Sequence, residues 1–107
     1  MENYIQVITT TATRVDAEKI AASLVEKRLA ACVQIVGPVQ STYRWNGKIE
    51  QAVEWQCLIK SRQDLFRDVE QAIKEIHPYE IPEIIALPIV AGSNDYRQWL
   101  RDELPAT

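Results

Sequence analysis

The Asn46-Gly47 pair in the segment TYRWNGKIE constrains the fold more than any other feature of this sequence. Both residue types tolerate the positive φ angles that a two-residue type I′ turn requires, and they join two runs rich in β-branched and aromatic residues. The arms of such a hairpin extend back to Ala31 and forward to Arg62, about fifteen residues each, whereas strands usually have about five or six. Because one small sheet cannot bury arms of this length, we expect the hairpin tip to reach another subunit.

A helix is predicted on each side of this hairpin. The first begins after Thr13, whose side chain can cap it, and ends near Arg28, with apolar residues at i, i+3 and i+4 spacing between them. The second is predicted to be capped by Ser61 and ended by Pro78, because proline lacks the amide hydrogen and biases the preceding residue away from helical geometry.

Strands are predicted before the first helix, over residues 4–10, and after the second, where EIIALPIV (83–90) is apolar on both faces. A short helix carrying Tyr96 and Trp99 follows. The order β-α-β-β-α-β plus a C-terminal helix predicts an α+β protein with the ferredoxin-like sandwich fold, in which both main helices cover one face. The other face would be open in a monomer, which together with the long hairpin predicts a homo-oligomer.

Composition limits the function. The 107 residues, 47% of them hydrophobic, suffice for one core, so a single domain is expected over 1–107. Twelve Lys and Arg are scattered among fifteen Asp and Glu without a basic run, so no nucleic-acid partner is expected. No apolar run approaches the roughly twenty residues that span a bilayer, and no signal segment is evident, so we expect no membrane partner and a cytoplasmic location.

The two cysteines, Cys32 and Cys57, lack the C-x-x-C spacing of a zinc or redox site. The two-residue turn sets Cys32 opposite Ser61 and Cys57 opposite Val36, with allowance for a bulge at Gly37-Pro38. Both thiols are therefore expected to be reduced and not to bond to each other.

The segment IHPYEIPEIIALPI contains three of the five prolines and the only histidine, His77. This imidazole has two interpretations, a group packed or hydrogen-bonded at a helix end and a group that contacts a ligand or metal. Tyr79, Glu80 and Glu83 follow it closely. Because the prolines stiffen this loop, these side chains are expected to form a preorganised wall of a cleft between subunits.

Other candidate residues have equally open interpretations. Lys60 can be a salt-bridge partner or an anion contact, and Trp99 can pack in the core or an interface or line a cleft. Glu80 and Glu83 could act as an acid and a base, but surface glutamates are usually solvated. Since the sequence has no nucleophile elbow and no Gly-rich phosphate loop, an enzyme is not expected.

Five segments, RLAACVQI, STYRWNGKIE, LIKS, HPYEIPEIIALPI and GSNDYRQWL, together resemble the CutA divalent-cation tolerance proteins in order and interval. The resemblance covers nearly the whole chain. It implies a ferredoxin-like protomer in a homotrimer similar in architecture to the PII signalling proteins. It also implies a role in copper tolerance and copper binding.

The same resemblance bears on metal ligands. Some bacterial members have a cysteine at the end of the first strand and two histidines before the proline, and here Thr9 and Ile76 occupy two of those positions. His77 and Cys32 remain, and a thiolate with an imidazole suits copper better than magnesium. These two residues are therefore the expected metal ligands, for weak binding of copper or another divalent cation.

An alternative function follows from the PII-like architecture. A regulatory trimer could bind a small anionic metabolite in clefts between subunits. The residues expected to contact such a small-molecule ligand are Lys60, Tyr79, Glu80, Glu83 and Trp99.

Overall fold

The Asn46-Gly47 turn forms as predicted, with φ angles of 51° and 77°. In the computed structural model, which describes residues 3–105 of the predicted domain, its arms are strands β2 (Cys32–Trp45) and β3 (Lys48–Arg62). The predicted ends at Ala31 and Arg62 are therefore confirmed to within one residue.

The hairpin belongs to a four-stranded antiparallel sheet in the order β2-β3-β1-β4, with β1 at Tyr4–Thr11 and β4 at Ile85–Pro88. This order, with three helices, confirms the predicted α+β ferredoxin-like class. The fourth strand is shorter than the predicted span of 83–90, because it pairs only with residues 5–8 of β1. Its last residue is Pro88, which has no amide hydrogen, and the Ile89 amide just beyond it donates to the carbonyl oxygen of Tyr4 at 2.9 Å.

The prediction for helix α1 (Arg14–Glu26) is confirmed at its start, where the Asp16 amide donates to Thr13 Oγ1 over 3.1 Å. Helix α2 (Phe66–Ile76) ends before Pro78 as predicted. The predicted cap by Ser61 is wrong, because this residue is still part of β3. Its buried hydroxyl donates instead to the carbonyl oxygen of Leu29 at 2.6 Å, and a short 3-10 turn over 63–65 precedes α2.

The main helices cover one face of the sheet. α1 contacts β1, β2, β3 and α2, and Val7, Cys57, Ile59 and Ile73 are fully buried in the shared core. On the opposite face, Ile85 and Leu87 of β4 are 46% and 47% exposed. Both residues pair with β1, so their exposure lies on a face of the sheet and not beyond its end. The open face predicted for a monomer is therefore present.

The closing helix α3 (Asn94–Glu103) is capped by Ser93, whose hydroxyl accepts from the Tyr96 amide at 3.3 Å. Its Leu100 is 1% exposed. Arg28, in a left-handed conformation with φ 60°, donates to the carbonyl oxygens of the helix's last two residues at 3.0 and 3.1 Å. Favourable contact between a cation and a helix C-terminus thus joins the ends of α1 and α3. No helix within residues 3–105 is long and apolar enough to span a membrane.

The bulge at Gly37-Pro38 inserts one extra residue into β2. As a result Cys32 lies opposite Lys60, and Cys57 opposite Ile35, each one residue from the partner predicted from the turn alone. Both cysteines are free, as expected.

Candidate functional site

His77 lies where the chain leaves α2 and passes the end of β1. Its Nε2 lies 2.8 Å from the carbonyl oxygen of Thr10, and the Tyr79 amide donates to its Nδ1 over 3.1 Å. Because a carbonyl can only accept and an amide can only donate, the ring hydrogen belongs on Nε2 and the Nδ1 lone pair is used. The side chain is only 9% exposed. The geometry thus matches the hydrogen-bonded interpretation of His77 and leaves neither ring nitrogen vacant.

Tyr79 connects this loop to the hairpin. Its Oη donates to Glu54 Oε2 at 2.7 Å, and its ring centroid lies 4.9 Å from that of His77. Burial, followed by the hydrogen bond to Glu54 and the negative charge there, raises the pKa of Tyr79 far above its usual value. The phenol therefore keeps its hydrogen and remains a donor to Glu54 at physiological pH.

Glu54 is 7% exposed, which is unusual for a carboxylate. Within the described part of the chain it has no ion-pair partner, and the hydroxyl of Tyr79 is its only hydrogen-bond partner. Its other carboxylate oxygen has no hydrogen-bond partner in the described chain but still reaches solvent, because within residues 3–105 Thr9 Oγ1 is the one buried side-chain polar atom that lacks a partner.

An open cleft of about 540 Å³ lies between the hairpin and the loop that joins α2 to β4, residues 77–84. It is lined by Thr10, Ser41, Thr42, Tyr43, Trp45, Glu54, Tyr79, Glu80, Ile81 and Glu83. This lining includes three carboxylates and three aromatic rings but no lysine, arginine or histidine.

Three of the residues predicted to contact a ligand, Tyr79, Glu80 and Glu83, share this cleft. The structure does not bring Lys60 or Trp99 to it. Lys60 Nζ donates to Gln6 Oε1 at 2.5 Å, on the open face of the sheet. Trp99 packs against Tyr96 on α3, with 5.5 Å between the ring centroids.

The expected metal ligands Cys32 and His77 are also separated. Cys32 lies opposite Lys60, whereas His77 contacts Thr10, which lies opposite Gln56. Four residues of β3 separate these two positions, which is about 13 Å along a strand. Among residues 3–105, no three His, Cys, Asp or Glu side chains converge on a point that could hold a metal ion.

The second thiol is isolated in the core. Cys57 is fully buried, and its Sγ lies 3.6 Å from the carbonyl oxygen of Ala17. Burial raises the pKa of Cys57 to about 11. Because the thiolate is the reactive form, Cys57 is not a nucleophile or metal ligand near neutral pH.

The hairpin side of the cleft includes Glu54, Tyr43 and Trp45, none of which was predicted as a site residue. A signal was present for Glu54, a carboxylate between Val53 and Trp55 in a strand whose later residues alternate between buried and half-buried. The two aromatic residues gave none, because such side chains are ordinary in strands.

Comparison with protein families gives a match to the model described as "CutA1 divalent ion tolerance protein" over residues 5–103. A divalent-cation tolerance protein CutA from Thermus thermophilus is 45% identical over 86 residues, which are 80% of this chain and 84% of that protein. Human protein CutA is 44% identical over 85 residues, or 79% of this chain and 48% of that protein. The chain thus spans about half the length of the human relative, and 54% of a chloroplastic CutA from Arabidopsis thaliana.

Solved structures agree with the sequence matches. A divalent cation tolerance protein (Cut A1) from Thermus thermophilus superposes with a TM-score of 0.91 at 41% identity, covering 98% of this chain and 100% of that one. CutA1 from Oryza sativa gives 0.94 at 34% identity, covering 98% and 96%. A structure from Archaeoglobus fulgidus described as a periplasmic divalent cation tolerance protein gives 0.88 at 39% identity, covering 96% and 98%.

Proposed function

The chain belongs to the CutA1 divalent ion tolerance family, and from this premise we propose that it is a non-enzymatic copper tolerance protein that acts as a homotrimer. The family match across residues 5–103 is the observation that carries this proposal. The relatives' names describe tolerance of divalent cations and no reaction. We also propose a cytoplasmic location, although plant and archaeal relatives are described as chloroplastic and periplasmic.

Two exposed apolar regions support the trimer. One is the open sheet face, and the other is the far end of the hairpin, where Ile49 and Val53 are 68% and 60% exposed. Exposed apolar patches of this kind usually mark an interface. Light scattering is expected to give the mass of three chains, and this mass should persist at micromolar concentration. A monomer mass there would refute the trimer.

Copper binding through His77 and Cys32 is proposed to be weak for a structural reason. A metal must take the Nδ1 lone pair from the Tyr79 amide or displace the hydrogen on Nε2 from Thr10. Either change removes a hydrogen bond of a buried group. Because His77 and Cys32 lie far apart along the sheet of one protomer, an ion bound by both would have to join two subunits.

Titration with copper tests this assignment. His77→Ala and Cys32→Ala should each weaken binding, whereas Cys57→Ala should leave it unchanged because Cys57 is fully buried. Sub-nanomolar affinity that survives His77→Ala would place the ligands elsewhere.

The cleft does not favour the alternative function, binding of an anionic metabolite. Its lining carries three carboxylates and no cationic side chain, and Lys60 lies on the open sheet face. An anion entering this cleft would be repelled by these carboxylates.

A further inference from the structure

Glu54 presents to the cleft a carboxylate oxygen that no group of the described chain binds. A carboxylate that has lost most of its contact with water gains from a cation or from further hydrogen bonds. Glu54 is 7% exposed and has one donor, the neutral hydroxyl of Tyr79. Because Glu54 lines the cleft, a cation entering the cleft could supply the missing partner.

The rest of the lining reinforces this preference. Glu80 and Glu83 add two exposed carboxylates on the opposite wall. A cleft lined by one sign of charge concentrates the field and attracts ligands of the other sign. The cleft is therefore built to attract cations.

Aromatic rings supply the second feature of a site for organic cations. Tyr43 and Trp45 line the hairpin side of the cleft, and their side chains are 43% and 41% exposed. The faces of such rings attract ammonium groups, and their apolar surface can contact methylene groups. A bare metal ion would gain little from this apolar surface.

Size and charge distribution separate an organic cation from a metal ion. A cleft of about 540 Å³ lies in the usual range for sites that bind small organic molecules. In the part of the chain that the structure describes, no three His, Cys, Asp or Glu side chains are grouped closely enough to hold a metal ion, so the three carboxylates of the cleft do not form one metal site. Separate carboxylates fit a ligand that carries several separate positive charges.

We propose that this cleft binds an aliphatic polyamine, with one ammonium group at Glu54 and the others at Glu80 and Glu83. The methylene chain between the ammonium groups would contact the rings of Tyr43 and Trp45. The hydroxyl of Tyr79 holds Glu54 in place, which makes Tyr79 a positioning residue. This site is separate from copper binding through His77 and Cys32.

Calorimetric titration of the whole 107-residue chain with spermidine, in its native oligomeric state, tests the proposal. Glu54→Gln removes the charge but keeps an acceptor for Tyr79, and it should weaken binding about tenfold. Glu80→Gln and Glu83→Gln should each weaken it about threefold, since these carboxylates are exposed. Glu26→Gln, the same charge change on the exposed surface of α1, is the matched control and should leave affinity unchanged.

Two further ligands test what the cleft recognises. Triethylene glycol, an uncharged chain of similar length, should not bind. An equal concentration of Mg²⁺ should not displace spermidine. Mg²⁺ readily replaces cations that are held only by the general negative charge of a surface, but it does not replace a ligand held by specific contacts.

Three results would overturn the polyamine site. The proposal fails if millimolar spermidine gives no binding, whether because the cleft is filled by a second chain or because it has no affinity. It also fails if Glu26→Gln weakens binding as much as the cleft variants, or if Mg²⁺ displaces the ligand. Should Glu54→Gln not fold, Glu80→Gln and Glu83→Gln decide, since both alter exposed side chains. Spermidine binding that persists in His77→Ala, after copper binding is lost, would separate this site from the metal site.

Discussion

The inner and outer halves of the hairpin differ in what covers them. In the inner half, residues 32–36 and 55–62, Cys57, Ile59 and Ser61 are fully buried beneath the helices. In the outer half, residues 39–54, Ile49 and Val53 are more than half exposed. Backbone pairing nevertheless continues through both halves, interrupted only by the bulge. The length of these strands is therefore set by the turn and by backbone pairing. Burial in the core does not set it, because burial ends halfway along the hairpin.

This division also separates stability from ligand binding. The core cluster of buried residues draws its β3 members from the inner half. The hairpin side of the cleft comes from the outer half, through Tyr43, Trp45 and Glu54. Glu54 stands at the boundary, opposite Val39 just beyond the bulge. Residues of the outer half can thus be changed to study binding with little expected effect on the core.

The largest expected effect is on the free energy of unfolding, and it should differ between an apolar residue of the inner half and one of the outer half. Ile59→Ala should lower the free energy of unfolding by about 3 kcal/mol, because it leaves a cavity in a fully buried position. Val53→Ala should cost less than about 0.5 kcal/mol in the isolated chain, because the side chain is 60% exposed there. Chemical denaturation measures both. Equal losses at concentrations where the protein is monomeric would contradict the division.

The dependence of these losses on protein concentration tests whether the outer half is covered in the assembly. If the outer half lies against another copy, the cost of Val53→Ala should grow with protein concentration, whereas that of Ile59→Ala should depend on it less. A cost for Val53→Ala that is independent of concentration would mean that this position is exposed in the assembly too.

A second effect depends on pH and tests burial of the inner half. Folding raises the pKa of Cys57 from 9.0 to about 11, so the unfolded chain loses this proton first. The stabilisation is complete below pH 9 and disappears as the pH rises through about 11, a loss of about 3 kcal/mol. Cys57→Ala should remove this part of the decline, and Cys32→Ala should keep it. Identical pH profiles for the parent and Cys57→Ala would show that the thiol is not buried.

A smaller change in stability than those of Ile59→Ala and Cys57→Ala is expected at the tip of the outer half. Gly47 has a φ of 77°, and a Cβ there would meet no atom within 4 Å, so Gly47→Ala adds backbone strain alone. We expect a loss of about 1 kcal/mol, read from the denaturation midpoint. In Gly92→Ala, where the new Cβ meets only the flexible Arg97 side chain at 3.3 Å, the loss should be smaller. A much larger loss at Gly47 would indicate that the tip is packed against another chain.

The sequence predicted the features that depend on near neighbours. The turn at Asn46-Gly47, the cap at Thr13 and the helix stop at Pro78 each depend on residues within a few positions, and all three are present. The cap by Ser61 failed because its hydroxyl bonds to Leu29, which is distant in sequence. One bulge was enough to shift the pairing of both cysteines.

The candidate site could be predicted on one side only. Tyr79, Glu80 and Glu83 are close in sequence, so their grouping was visible. Glu54 enters the cleft because of strand register and the path of the loop, and neither is encoded locally. Lys60 lies six residues from Glu54 along β3, or about 20 Å at the rise of a strand, which places it beyond the cleft.

The two hydrogen bonds of His77 also make its ring a spectroscopic reporter. The protein has a single histidine, so its imidazole ¹⁵N resonances need no assignment by mutagenesis. One nitrogen reports on the Thr10 carbonyl of β1 and the other on the Tyr79 amide of the loop. A ligand that shifts the loop should move the Nδ1 resonance more than that of Nε2, whereas copper coordination should broaden both. One NMR signal pair can therefore distinguish occupation of the cleft from capture of a metal.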